Sequence, residues 1–254
     1  MLAVTMPPEA VLMPDPGGEL ISRAVGGADR AWFYWTGRES VRELERTLGI
    51  AGRTLDSLES ILDFGCGCGR MLLWMRELGR RRALYGTDID ADAIDWCREH
   101  VPYADLSVND PDPPLVHPDG AFELVFGHSV FTHLDERRQD AWLSELSRVT
   151  SPGGLLVLST QGEVALGDDV WGIRERLEDE GIVFIDNVFG PEYPLPGWYQ
   201  TTYHAPWYVF EHWARWFEIR AYIPGGALGV QDHILLQRRA SDAPSRRPLV
   251  APPP

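Results

Sequence analysis

The chain contains no lysine: all 23 of its basic residues are arginine. That excludes Schiff-base chemistry and a P-loop lysine, both of which need a primary amine. Positive charge is also scarce overall, with 38 acidic residues giving a formal net charge of −15. Such an excess opposes an unaided grip on nucleic acid or on an acidic membrane surface, so neither is expected as a partner. Cysteine is limited to Cys66, Cys68 and Cys97, too few and wrongly spaced for a disulfide framework or a zinc ribbon, and no metal is expected. No apolar run reaches the length of a membrane span. The first residues lack a basic start followed by an apolar run, so a cytoplasmic location is expected.

What is present is an alternation of strand and helix signals across most of 254 residues. "SILDFG" (60–65), "ALYGTDI" (83–89), "LSVND" (106–110), "FELVFGH" (122–128) and "PGGLLVLST" (152–160) read as strands. Helices are expected near 41–48, over 70–79, from Ala91 to His100, and after Asp135, where Trp142, Leu143, Leu146 and Val149 share a face. This rhythm predicts an α/β fold with a doubly wound, Rossmann-like sheet. Residues 161–205 break it with a polar helix candidate (171–181) and a Pro/Gly/Tyr/Trp-rich stretch, read as an inserted aromatic-rich lid segment at the carboxyl edge of the sheet. "PWYVFEHWARWF" (206–217) then reads as a helix, and 218–223 and 231–238 as an antiparallel strand pair. The expected organisation is a mobile segment 1–20, one domain over 21–239 and a mobile tail 240–254.

The informative stretch is "ILDFGCGCGR". A buried strand feeding a helix through glycines lets backbone approach a ligand and aims the helix N-terminus at it. Dinucleotides and S-adenosylmethionine both use such a turn. Gly65, Gly67 and Gly69 form G-x-G-x-G, whereas the dinucleotide fingerprint wants a glycine where Arg70 stands. Asp63 suits a cationic ammonium better than a pyrophosphate. Asp88, at the end of the second strand, is placed to accept both hydroxyls of a ribose, while Asp90 reads as the N-cap of the following helix. Ile89 is placed to cover an adenine face, and Asn109 with Asp110 to meet its amino group, although Asp110 before a proline also reads as a turn residue.

"ILDFGCGCGR", "YGTDID", "AFELVFGHSVFTHL" and "LSRVTSPGGLLVLST", in this order, resemble the class I S-adenosylmethionine-dependent methyltransferases, in particular their small-molecule branch, over roughly residues 30–160. The resemblance implies a sheet of about seven strands with the last antiparallel. It implies S-adenosylmethionine as cofactor, with Asp63 and Gly65 at the methionyl end, Asp88 at the ribose and Asp110 at the adenine. Cys66, Gly67, Gly69, Gly127 and His128 join the expected cofactor contacts, and Arg38 is set against its carboxylate from an N-terminal helix, or alternatively as a solvated helix arginine. The acceptor expected is an O or N atom of a small molecule, such as a natural product or a sugar-containing metabolite.

If the acceptor must lose a proton, the candidate bases are His128, directly after the fourth strand, and His204 in the insertion. His133, Tyr199 and Tyr203 are the expected substrate contacts. Tyr193 and Trp198 belong to the same aromatic stretch, while Trp213, Trp216, Phe210 and Phe217 read as core. A protein that binds the cofactor without transferring a methyl group, and a nucleotide-dependent oxidoreductase, are the competing readings. The oligomeric state is left open.

Overall fold

The computed structural model describes residues 4–168, 172–186, 188 and 196–240. Five strands alternate with helices: β1 Ser60–Phe64, β2 Ala83–Asp88, β3 Asp105–Val108, β4 Phe122–Gly127 and β5 Thr150–Thr160. A short antiparallel pair follows, β6 Ile182–Ile185 with β7 Thr201–His204, and then β8 Glu218–Ala227 and β9 Gln231–Gln237. The main sheet has seven strands in the order β3-β2-β1-β4-β5-β9-β8. β1 to β5 pair in parallel, and β9 runs antiparallel to both β5 and β8. The expected Rossmann-like sheet with a reversed last strand is therefore what the chain forms.

The helices are α1 Gly18–Val25, α2 Arg30–Ile50, α3 Arg76–Gly79, α4 Ala91–His100, α5 Glu136–Val149, α6 Glu163–Leu166, α7 Ile173–Glu180 and α8 Pro206–His212. α4 and α5 start where the caps predict: Asp90 accepts from the Ala93 N–H and Asp135 from the Arg138 N–H. The helix expected over 70–79 is instead a 3-10 stretch, Leu72–Met75, leading into the single turn of α3. Leu72, Leu73, Met75 and Leu78 are all buried there, so the segment turns apolar side chains inward on more than one side, which suits a tighter winding than a half-exposed α-helix.

Apolar side chains fill both faces of the sheet. Ile61, Leu124 and Phe126 pack beneath α2 and the 72–78 segment, while Leu62, Val125 and Leu156 pack against Trp142, Leu143 and Leu146 of α5. Two-sided burial explains why these strands read as continuous apolar runs. Trp213 and Phe217 are core as expected; Phe210 faces solvent. Within the first segment, expected to be mobile, parts of residues 8–20 pack onto the domain. Ala10 is fully buried, Pro8–Leu12 form a 3-10 turn and the Tyr34 hydroxyl donates to the Pro14 carbonyl. Tyr193 and nearly all of the tail lie outside the described residues.

Candidate active site

β1, β2, β3 and β4 are parallel, so their carboxyl ends open on the same edge of the sheet, where ligands of this architecture sit. There lies an open cavity. Its floor is the turn after β1. The Gly65 and Cys66 N–H groups both donate to the Thr87 carbonyl (2.8 and 3.0 Å), tying the turn to β2. Gly65 holds φ at +78°, and a Cβ there would lie 2.3 Å from the Val130 side chain; only glycine meets both conditions. The turn then curls around Asp88, whose Oδ2 accepts from the Gly67 N–H at 2.7 Å while Oδ1 accepts from the Asp90 N–H at 2.9 Å.

Asp63, at the end of β1, is 3% exposed and lines the cavity. Among the described residues its carboxyl has no hydrogen-bond partner. Burial pushes its pKa up to about 8, with the charge of Asp88 adding to the effect and Arg70 opposing it. An unpaired buried carboxyl facing a cavity is unsatisfied until a donor or cation arrives. Burial also raises Asp88, against the pull of its backbone donors. Since a carboxylate offers about four acceptor positions, Asp88 retains lone pairs beyond the two amides.

Further along the wall, Ile89 and Pro111 bracket Asn109. Both ends of the Asn109 amide are engaged, Oδ1 by the Thr87 hydroxyl (2.8 Å) and Nδ2 by the Asp110 carbonyl (2.8 Å). Trp142 lines the cavity from α5 and its indole N–H donates to the Pro111 carbonyl at 3.1 Å.

His128 and Ser129 stand on the wall after β4. Among the described residues the His128 ring has no hydrogen-bond partner. Burial, the Arg70 charge and His233 hold its pKa well below the ordinary histidine range, so it is a neutral imidazole at neutral pH. Ser129 holds φ at 61°, a conformation rare for a residue with a side chain. Its N–H donates to Ser159 Oγ (2.7 Å), and Gln231 donates to its hydroxyl (2.6 Å). This network fixes the turn that carries His128.

Of the residues expected at the site, the cavity gathers Asp63, Gly65, Cys66, Gly67, Asp88, Ile89, Asn109, His128 and Tyr199. Others are placed elsewhere. Gly69 and Gly127 are off the wall and in tight places: a Cβ on the first would press Cys97 Sγ at 3.1 Å, and on the second Leu158 and the Phe64 carbonyl at 3.3 Å each. Asp110 is exposed and off the wall. Arg38 reaches Glu39 (3.2 Å) and Glu9 (3.7 Å), with its guanidinium 6.0 Å from the Trp74 ring, rather than the cavity.

His204 is fully buried on β7, bonded through Nε2 to Gln139 Oε1 at 2.9 Å, and burial pushes its pKa down to about 3. It is not among the residues that line the cavity. Tyr203 is buried beside it. His133 lies one layer behind the wall. Its Nδ1 donates to the Gln200 carbonyl (2.7 Å), burial lowers it to about 4, and its ring stacks on Tyr199 at 4.0 Å.

The sequence reading missed Arg23, Arg70, Ser129 and Trp142 as wall residues, and placed Trp198 only within an aromatic stretch. Arg23 arrives on α1, where it pairs with Asp90 (3.0 Å) and Asp92 (3.3 Å) and also meets Glu19. Only Arg70 carried a signal, directly after the third glycine. The three cysteines are buried, and burial pushes the Cys68 thiol up to about 12. Among the described residues no cluster of metal-ligating side chains occurs, and no helix is long and apolar enough to cross a membrane.

Residues 61–154 match the methyltransferase domain sequence family. Among relatives, the ribosomal protein L11 methyltransferase of Geobacter metallireducens is 31% identical over 146 residues, covering 58% of this chain and 44% of that protein. The malonyl-[acyl-carrier protein] O-methyltransferase of Yersinia pestis is 32% identical over 109 residues, covering 42% of this chain and 39% of that protein. The chain thus matches less than half the length of these curated relatives. A SAM-dependent methyltransferase structure from Methanosarcina mazei superposes with a TM-score of 0.52 at 22% identity, covering 71% of this chain and 92% of that one. The family's cofactor fits the residues present: an unpaired buried carboxyl for an ammonium, a second carboxylate with free lone pairs for a ribose diol, and apolar side chains beside Asn109 for a purine. The sheet, the glycine turn and the match over residues 61–154 together support the class I S-adenosylmethionine-dependent methyltransferases as the superfamily of this domain.

Proposed function

We propose that the protein transfers a methyl group from S-adenosylmethionine to an O or N atom of a small molecule. One observation carries this reading. The unpaired Asp63 carboxyl, the turn wrapped around Asp88 and the unpartnered His128 ring all face one cavity. When bound, S-adenosylmethionine supplies a methyl group already activated on a sulfonium, which leaves the protein the tasks of positioning, drying and proton removal.

Asp88 would accept the two ribose hydroxyls, and Ile89, Pro111 and Trp142 would cover the purine. His128, kept neutral by its burial, accepts the proton that an acceptor hydroxyl or ammonium must lose, and becomes the imidazolium. The Ser129–Gln231–Ser159 network keeps that ring's turn in place. Trp198 and Tyr199 contribute the aromatic wall from the 161–205 segment, with Trp198 lying 4.7 Å from the Arg138 guanidinium. Such a wall favours a flat acceptor, a natural product or a sugar-bearing metabolite.

The test is transfer of labelled methyl to a panel of phenols, amines and carboxylic acids. The panel includes a ribosomal protein and an acyl-carrier-bound acid, because two relatives are named for such acceptors. His128→Ala should lower turnover about 10²- to 10⁴-fold and leave S-adenosylhomocysteine affinity unchanged. Full turnover in that variant would remove His128 from the chemistry.

A further inference from the structure

Ser129 stands beside His128 on the cavity wall, in a backbone conformation that a glycine would adopt without strain. The hydroxyl is therefore what serine adds at this position. Neighbouring strands of the sheet bring two partners to it. Ser159 lies near the end of β5 and Gln231 opens the antiparallel β9, so both arrive at the edge where the turn after β4 stands.

The hydrogen bonds along this edge run in one direction. Ser159 Oγ accepts from the Ser129 N–H at 2.7 Å and donates to Gln231 Oε1 at 2.9 Å. Gln231 Nε2 in turn donates to Ser129 Oγ at 2.6 Å. Burial fixes that direction. Ser159 is 1% exposed, and among the described residues Gln231 Oε1 is the one acceptor that its hydroxyl proton meets. Turning the Gln231 amide over would strand this proton in the interior, the costly case for a buried donor. With Oε1 held by Ser159, Nε2 faces Ser129, whose oxygen accepts.

A serine hydroxyl has one proton to give. Gln231 does not take it, and among the described residues the Ser129 proton has no acceptor. One residue away, the neutral His128 ring is likewise without a partner among them. The wall thus offers an unspent O–H donor next to an unspent imidazole, in a cavity that Trp198 and Tyr199 also line. A flat ring that matches both presents a hydroxyl to the imidazole and a lone-pair oxygen, on the adjoining carbon, to the serine.

We propose that Ser129 donates its hydroxyl proton in a hydrogen bond to the methyl acceptor, and that this acceptor is an aromatic hydroxyl compound with a second oxygen on the neighbouring ring carbon. Gln231 is the positioning residue that sets the polarity of the contact. The contact is a hydrogen bond alone and adds no covalent step. It rests on the proposed function above, whose acceptor class it narrows.

Labelled-methyl transfer would compare 2-methoxyphenol with 2-ethylphenol, which carry one hydroxyl each and differ by an oxygen in place of a methylene. The wild type should favour 2-methoxyphenol in kcat/KM by about 3- to 10-fold, the scale of a neutral hydrogen bond. Ser129→Ala should bring that ratio to about 1. Gln231→Glu should do the same by another route, because a carboxylate accepts from both serines and spends the Ser129 proton inside the network. A change in His128 basicity, or in the hold on its turn, alters both substrates alike and cancels in the ratio.

Equal use of the two compounds by the wild type would overturn the assignment. A preference that survives in either variant would overturn it too, leaving Ser129 a support for its turn. Transfer to neither compound by a wild type that binds S-adenosylhomocysteine in calorimetry would overturn the acceptor class. Failure to bind S-adenosylhomocysteine at all would instead refute the proposed function itself.

Discussion

Asp63 makes ligand binding a proton-linked event whose size follows from its surroundings. Burial holds its carboxyl at about 8, against about 3.9 in an unfolded chain. At pH 7 the free protein then carries Asp63 ionised in about one molecule in ten. An ammonium bound against it favours the charged form and draws the pKa down. If the bound value falls below about 5, binding at pH 7 releases about 0.9 proton, and affinity rises about eightfold per pH unit between about pH 6 and 7. Above that range the ligand's own ammonium begins to lose its proton, near about pH 8, and the slope flattens.

Calorimetry with S-adenosylhomocysteine in two buffers of different ionisation enthalpy reads the proton count directly. Asp63→Asn should bind more weakly, release no proton and show no slope. A wild-type affinity that is flat across this range, with no proton exchanged, would refute the reasoning. The ligand-free fold carries the opposite sign. Because the folded pKa is raised, the stability tied to the Asp63 proton is complete below about pH 4 and is lost as pH climbs through about 8.

Asp88→Ala removes the proposed sugar acceptor and strands the Gly67 and Asp90 N–H groups. S-adenosylhomocysteine affinity measured by calorimetry should fall at least 10-fold, the scale of a hydrogen bond to a charged group being about 1.5–3 kcal/mol, and an unchanged affinity would take Asp88 out of the site. His204→Ala opens a hole in the core and leaves Gln139 Oε1 without its imidazole partner, while Nε2 keeps the Phe131 and Leu134 carbonyls. It should cost about 2–4 kcal/mol in denaturant unfolding while the folded variant keeps its turnover; a normal stability with lost turnover would restore His204 to the chemistry.

The parts of the site that local sequence could announce were those built within one strand and its turn. Asp63, Gly65, Gly67 and Asp88 sit at fixed steps along β1 and β2, and the pleat alone brings their ends together. The sheet was legible for the same reason, since strands buried on both faces leave unbroken apolar runs. His204 and Tyr203 misled because their burial is a non-local event. Only the pairing of β7 with β6, and the packing of both under Trp213 and Val209, turns them inward.

Gly127 and Gly69 occupy tight places, crowded by Leu158 and Phe64 in one case and by Cys97 in the other, and such crowding leaves no local mark in the sequence. Of the arginines on the N-terminal helices it is Arg23, not Arg38, that reaches the cavity wall, a matter of which helix lies over the glycine turn, and no spacing rule records it. Trp142 fits the apolar stripe of α5 so well that its cavity-facing edge leaves no separate mark.

Asp90 touches three things at once: its amide steadies Asp88, its carboxylate caps α4, and the same carboxylate grips Arg23 on α1. No atom of α1 needs to reach the sugar acceptor for the two to share a fate. By reciprocity, any ligand that orders Asp88 also shields the N-terminal helix, and clipping that helix loosens the ligand by an equal free energy. The first twenty-five residues therefore report, through their resistance to proteolysis, on a pocket whose wall Leu20, Arg23 and Ala24 help to build.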